Sequence, residues 1–243
     1  EIENVKTQVS LSSLINDKFS FENLEISSKS LKIKDLISSI RVINNAPELY
    51  LLEKIIREGY LIIDIKIDFD EKGEIKNNYS INGLLKDLEI DFFKRYNLND
   101  LSLIFNFKNK QLITKDISFK LNDLIFSSKE ISIKKLEDEF LIKGSIDNNK
   151  ISLSEKKIKE LANPFIPNLD LENITFSSKN IFSFMLDNKF KIKNLETESK
   201  ILLDEVFFEN TLNIKSIFPN IKDQFSLINH KLDLKSKAGN FSI

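Results

Sequence analysis

The side chains able to carry out chemistry are few and scattered. His230 is the only histidine among 243 residues and there is no cysteine. A Ser-His-Asp triad would have to form around His230, which follows Asn229 in a polar stretch without a nucleophile-elbow sequence. Imidazole clusters and thiolate sites for metals are ruled out by the same two counts. Asp68-Phe69-Asp70-Glu71-Lys72-Gly73 has the outline of a calcium loop, but Lys72 occupies a ligand position and Tyr79 stands where the bidentate Glu belongs. Asp64, Asp68 and Asp70 are the carboxylates whose spacing admits glycoside hydrolysis. They alternate with Lys66 along the polar side of a strand, so a solvated face is expected. Gly59, Gly73, Gly83, Gly144 and Gly239 are dispersed singly, which leaves no phosphate-cradling loop. The expectation is a chain that is not an enzyme and that holds no cofactor and no metal.

Charge narrows the partners. Lys and Arg number 36 against 37 Asp and Glu, for a net charge of -1. No basic stripe interrupts that balance, so nucleic acid is not an expected partner. Lys32, Lys34, Lys156 and Lys157 sit among acidic neighbours and leave room only for weak contact with anionic headgroups. With 41% hydrophobic residues the chain is expected to fold. Its densest apolar run, Tyr60 to Ile67, is broken by Asp64 and Lys66, short of the ~18–20 residues of a spanning helix. The chain opens on Glu1, and the expectation is a segment of a longer protein with any signal peptide or anchor upstream.

The elements that must position these side chains are mostly strands. Leu61, Ile63, Ile65, Ile67 and Phe69 alternate with Ile62, Asp64, Lys66, Asp68 and Asp70, the period of a half-buried strand. Leu101, Leu103, Phe105 and Phe107 repeat the pattern, as do Ile117, Phe119 and Leu121, then Ile131 and Ile133, then Phe140 and Ile142. β-Branched and aromatic residues suit such pleated surfaces. Asn and Asp supply the expected hairpin turns at residues 108–110, 147–150 and 187–189, since both tolerate the left-handed conformation. Helix is expected from Ala46-Pro47-Glu48 through Leu49, Leu52, Ile55 and Ile56 to an end near Gly59, and again from Ser154 to Ala162 before Pro164. Little other helix is expected. The fold class is mainly β, an elongated, curved antiparallel sheet with one or two short helices.

Three segments align without gaps. Phe21-Glu22-Asn23-Leu24-Glu25-Ile26-Ser27-Ser28-Lys29 matches Leu121-Asn122-Asp123-Leu124-Ile125-Phe126-Ser127-Ser128-Lys129 and Leu171-Glu172-Asn173-Ile174-Thr175-Phe176-Ser177-Ser178-Lys179. Sub-repeats near 21–37, 121–137 and 171–187 predict a hairpin unit added side by side.

The strands at Tyr60–Asp70 and Leu101–Lys108, the phrase from Phe19 to Leu36, and Tyr79-Ser-Ile-Asn-Gly-Leu-Leu-Lys-Asp-Leu88 together resemble the AsmA-like proteins of Gram-negative bacteria, relatives of TamB and of the bridge-like lipid-transfer proteins. The resemblance implies a β-taco groove running through residues 1–243, part of a longer chain. It also implies a periplasmic location, an inner-membrane anchor outside this segment, and phospholipid transport between inner and outer membranes or outer-membrane biogenesis. Phospholipid acyl chains are the implied partner, and other envelope partners stay unspecified. Leu61, Ile63, Ile65, Ile67, Phe69, Leu101, Leu103, Phe105, Phe107, Ile117 and Phe119 are the candidate lipid-contacting residues. Alternation alone is equally compatible with a closed, dry core in a structural or adhesive β-repeat protein.

Overall fold

A computed structural model describes residues 1–9, 21–43, 46–70, 72–92, 96–162, 171–189, 191–209, 224–237 and 240–242. Among these, thirteen strands form one open antiparallel sheet. Twelve follow one another in hydrogen-bonded order: β1 (Ile2–Val9), β2 (Phe21–Ser28), β4 (Ile56–Asp68), β5 (Ser80–Phe92), β6 (Tyr96–Lys108), β7 (Gln111–Leu121), β8 (Leu124–Lys135), β9 (Glu139–Ser154), β10 (Asn173–Asp187), β11 (Ile192–Glu209), β12 (Gln224–Lys237) and β13 (Asn240–Ser242). The short β3 (Leu31–Lys32) continues the line of β2 along β4. Three helices are described: α1 (Ile33–Ile43), α2 (Pro47–Ile55) and α3 (Glu155–Ala162). The mainly antiparallel β reading therefore holds, with one helix more than expected. The chain divides into two compact units, one of residues 1–144 with 184–193, the other of 145–183 with 194–243.

In the first unit, two tight turns create the meander. Asn109 and Lys110 (φ 52° and 60°) join β6 to β7, and Asn122 and Asp123 (φ 48° and 69°) join β7 to β8. Positive φ at both central residues matches the right-handed twist of the flanking strands, which is why Asn and Asp stand there. Between β10 and β11, Asp187 closes the connection, its carboxylate accepting the N–H groups of Lys189 and Lys191 at 2.9 Å. The turn expected at residues 147–150 is instead extended chain inside β9. Asn148 is buried there, its amide donating to Phe176 O at 3.3 Å, so bonding to a neighbouring strand overrides the local turn preference.

The strands are not uniformly pleated. Gly59, Asp87, Asp100 and Asp116, one in each of β4 to β7, have positive φ in mid-strand (149°, 51°, 55° and 51°). The pairing register slips beside the first three in the β4–β5, β5–β6 and β6–β7 ladders. Each such residue inverts the alternation, so that Lys86 and Asp87 are both exposed between half-buried Leu85 and buried Leu88. At Gly59 a Cβ would lie 2.9 Å from Leu88 Cδ1 and 3.0 Å from Ile33 Cδ1, so the glycine also admits α1 onto the sheet.

Beyond these bulges lies the core of the unit. Ile33 and Ile37 of α1 meet Ile56 and Leu88, with Leu49, Ile55, Leu61, Leu85, Ile90 and Leu101 packed around them. Helix α2 starts with Pro47 at its first turn, as expected, but ends at Ile55; Ile56 is already extended, and Gly59 serves a bulge in β4 instead of a helix cap. Helix α1 was not expected. Its four Ile and one Val favour strand locally, and burial of Ile33 and Ile37, one helical turn apart, decides the matter. Helix α3 covers the expected segment, while Pro164 lies outside the described residues.

In the second unit the buried apolar side chains are Ile151, Ile158 on α3, and Val206. Beside them Asn148, Thr175 and Ser178 are buried and bonded: Ser178 donates to Asn148 Oδ1, Asn180 donates to Ile146 O at 2.9 Å, and Ser152 lies 2.9 Å from Thr175.

Candidate functional site: an apolar sheet face

Directly opposed residues of an antiparallel sheet share a face. By that rule Val5, Ile26, Ile65, Ile81, Phe107, Leu112 and Ile133 form one continuous apolar row crossing seven strands of the first unit. A second row runs Ile63, Gly83, Phe105, Thr114, Ile131, and a third Leu31, Leu61, Leu85, Leu103. The opposite face carries Asp64, Lys66, Asn82 and Lys86, all exposed, together with the opposed apolar residues Ile62, Leu84 and Ile104, which are exposed as well.

Ten of the eleven predicted groove residues are half-buried, and Ile117 is buried. The structure brings Ile63, Ile65, Ile67, Leu103, Phe105 and Phe107 onto this face. Leu61 and Leu101 are there too, but they pack against the core beneath α1 and α2. Phe69 lies past the end of β4, bridged to Ile75 and 6.3 Å from the Phe21 ring centroid. Phe119 stacks on Phe126 at 5.5 Å. Strand β5, which sits between the two predicted strands and supplies Ile81, Gly83 and Leu85, shows no period of two: Gly83 stands on the apolar face, Leu84 on the other, and the Lys86-Asp87 bulge then shifts the phase. The candidates omit it, along with Leu24 and Ile26 of β2.

Two features keep the face apolar. At Gly83 a Cβ would lie 2.5 Å from Phe105 Cζ, so the glycine allows the ring to lie flat over the backbone. The hydroxyls that fall on the face are bonded to backbone: Thr114 donates to Ile131 O at 3.0 Å, and Ser28 accepts the Ile63 N–H at 2.9 Å. Ser28, Ser128 and Ser178, the second serines of the three repeat copies, are all buried. The repeat therefore marks a buried hydroxyl in β2, β8 and β10. Within the nine aligned residues, a tight turn occurs in the second copy, at Asn122-Asp123.

No large side chain among the described residues is less than 2% exposed. Helices α1 and α2 pack on β4 and β5 at the Ile56–Leu88 end only. On the charged face, Ser30, Tyr60, Ile62, Leu84, Lys86 and Asp87 line a shallow depression of about 280 Å³.

Asp64 and Asp68 are about 13 Å apart along β4 at the usual strand rise, wider than glycosidase carboxylates. Asp68 accepts from Asn78 Nδ2 at 2.8 Å. The Asp70 carboxylate accepts the N–H groups of Lys72 and Glu74 at 2.8 and 2.9 Å, which holds it below the usual carboxylate range. Glu71 of the calcium-like loop lies outside the described residues, and no group of potential metal ligands occurs among those described. His230 is exposed on β12, its Nδ1 2.9 Å from Ile228 O. No described helix is long and apolar enough to cross a membrane.

Comparison with protein-family models, with curated proteins and with solved structures gives no match to this chain.

Proposed function

We propose that the chain is a non-enzymatic protein of the Gram-negative cell envelope whose apolar sheet face carries phospholipid acyl chains between membranes, as the AsmA-like resemblance implies. The observation that supports this reading is the apolar row from Val5 to Ile133, none of whose residues belongs to the cluster that α1 and α2 form with the sheet. An antiparallel sheet apolar on one face requires a cover, and few helical residues are available to provide it. Acyl chains meet the requirement at about 0.8 kcal/mol per buried CH₂. They need no directional bonds and so can slide along the rows.

The proposal concerns the first unit. In the second, buried polar side chains bond to one another, the observation that favours a closed structural sheet there. Fluorescent phospholipid titrated onto delipidated protein tests the reading. Saturable binding is expected, weakened about tenfold or more in Phe105→Asp, which sets an unpaired charge among apolar residues. Absence of binding by the unmodified chain, or equal binding by a folded Phe105→Asp variant, contradicts it.

A further inference from the structure

We propose that the tip of the α1–α2 hairpin docks on the surface of a lipid bilayer that carries anionic headgroups. The hairpin uses Ile33, Ile37, Leu49 and Ile55 against the sheet. Its far end points elsewhere: Val42 and Ile43 are 88% and 90% exposed, and Tyr50 and Leu51 close to half. Residues 36–47 hold one charged side chain, Arg41, in a chain where 30% of residues are charged.

The polar groups around the tip are arranged for a boundary between oil and water. Glu53 accepts a hydrogen bond from Ser38 at 2.6 Å and pairs with Arg41, which fixes the two helices to each other. Arg41 and Lys54 both lie over the Tyr50 ring, at 5.0 and 4.6 Å from its centroid. Lys54 has no ion-pair partner among the described residues. Arg41 is held by Glu53, which leaves Lys54 as the cation beside Tyr50 that is available to lipid phosphate. A tyrosine next to such a lysine and to protruding aliphatic residues matches the headgroup layer, where the ring is apolar, its hydroxyl is wet, and the ammonium meets phosphate. Nearly complete exposure of Val42 and Ile43 favours a deformable acyl phase over a protein, because a protein partner must supply a fitted pocket within an interface of about 800 Å² per side. Helices of 11 and 9 residues are too short to cross, so the hairpin would rest in the interface.

Co-sedimentation of the full chain with vesicles tests this, using phosphatidylcholine alone and phosphatidylcholine mixed with phosphatidylglycerol. The unmodified chain is expected to bind the mixed vesicles more tightly. Val42→Ser/Ile43→Ser should weaken binding to both about tenfold or more, and Lys54→Glu should weaken it about tenfold on the mixed vesicles alone. All three side chains are exposed, so thermal melting of these variants should match the parent. The docking surface is independent of the acyl-chain face: the double serine variant should keep its binding of monomeric fluorescent phospholipid, and Phe105→Asp should keep its vesicle binding. Failure of the parent to bind mixed vesicles, or undiminished binding by the double serine variant, overturns the proposal. So does a reversible dimer in sedimentation velocity that the double variant abolishes while vesicle binding is absent, since a second copy would then cover the tip.

Discussion

Asp70, Asp187 and Lys193 are the residues through which the sheet's turns respond to pH. Asp70 and Asp187 each hold a turn by accepting two backbone N–H groups, and these bonds draw both carboxyls below their ordinary value of 3.8. For a carboxyl lowered in the folded state the stabilising contribution is complete above the ordinary 3.8 and is lost as the pH falls through the lower folded-state value. Lys193 works in the opposite direction. Its ammonium bonds to Glu139 at 2.7 Å and pairs with Asp187 at 3.4 Å, which raises it above its ordinary 10.5. That contribution is complete below 10.5 and is lost as the pH rises through the raised value. Denaturant unfolding followed across pH should therefore show stability falling below about pH 4, and the fall should shrink in Asp70→Ala and Asp187→Ala, which start less stable. An acid limb unchanged in both variants would show that these turns are not what titrates. Much of this scale was legible in the sequence, because Asn and Asp turns announce themselves. The exception was Asn148, whose partners lie in another strand, at distances no local pattern encodes.

Among the elements, the α1–α2 hairpin does what the strands cannot, closing the cluster of buried residues around Ile56 and Leu88. Ile37 is 7% exposed at its centre. Ile37→Ala should destabilise the chain by about 2–3 kcal/mol, the lower part of the range for Ile truncation, because the cluster is small and partly open. Equilibrium unfolding checks this, and a loss below about 0.5 kcal/mol would mean that the hairpin is not seated on Ile56 and Leu88. Element identity was readable wherever alternation ran unbroken, as in Leu61 to Ile67 and Leu101 to Phe107. It failed where a single left-handed residue reversed the faces. Lys86-Asp87-Leu88, Asn99-Asp100-Leu101 and Lys115-Asp116-Ile117 share one wording, two polar residues and then an apolar one, and each marks a bulge. The same wording stands in α1 as Lys34-Asp35-Leu36 and in the β7–β8 turn as Asn122-Asp123-Leu124, so it marks a bulge only inside a strand. It escapes a search for period two, which treats Asp as one more polar-face residue. Helix α1 escaped for another reason: its apolar spacing is helical, but its residues favour strand until packing overrules them.

At the level of the whole molecule, the two faces of the first unit's sheet differ in character. Near-equal numbers of acidic and basic side chains keep one sheet face in water, as in the pairs Lys66–Glu25 and Lys120–Asp100. The other face is apolar across the strands of the first unit. That division was visible as alternation, whereas what covers the apolar face could not be read from sequence, because burial against protein and burial against lipid require the same side chains. Photo-crosslinking separates the two most directly. A photoreactive phenylalanine at position 65 or 107 should capture phospholipid when the chain is incubated with vesicles, and the same group at position 64, 66 or 106, on the opposite face, should not. Equal capture at both sets of positions, or none at 65 and 107, would contradict the account of this face as a path for acyl chains.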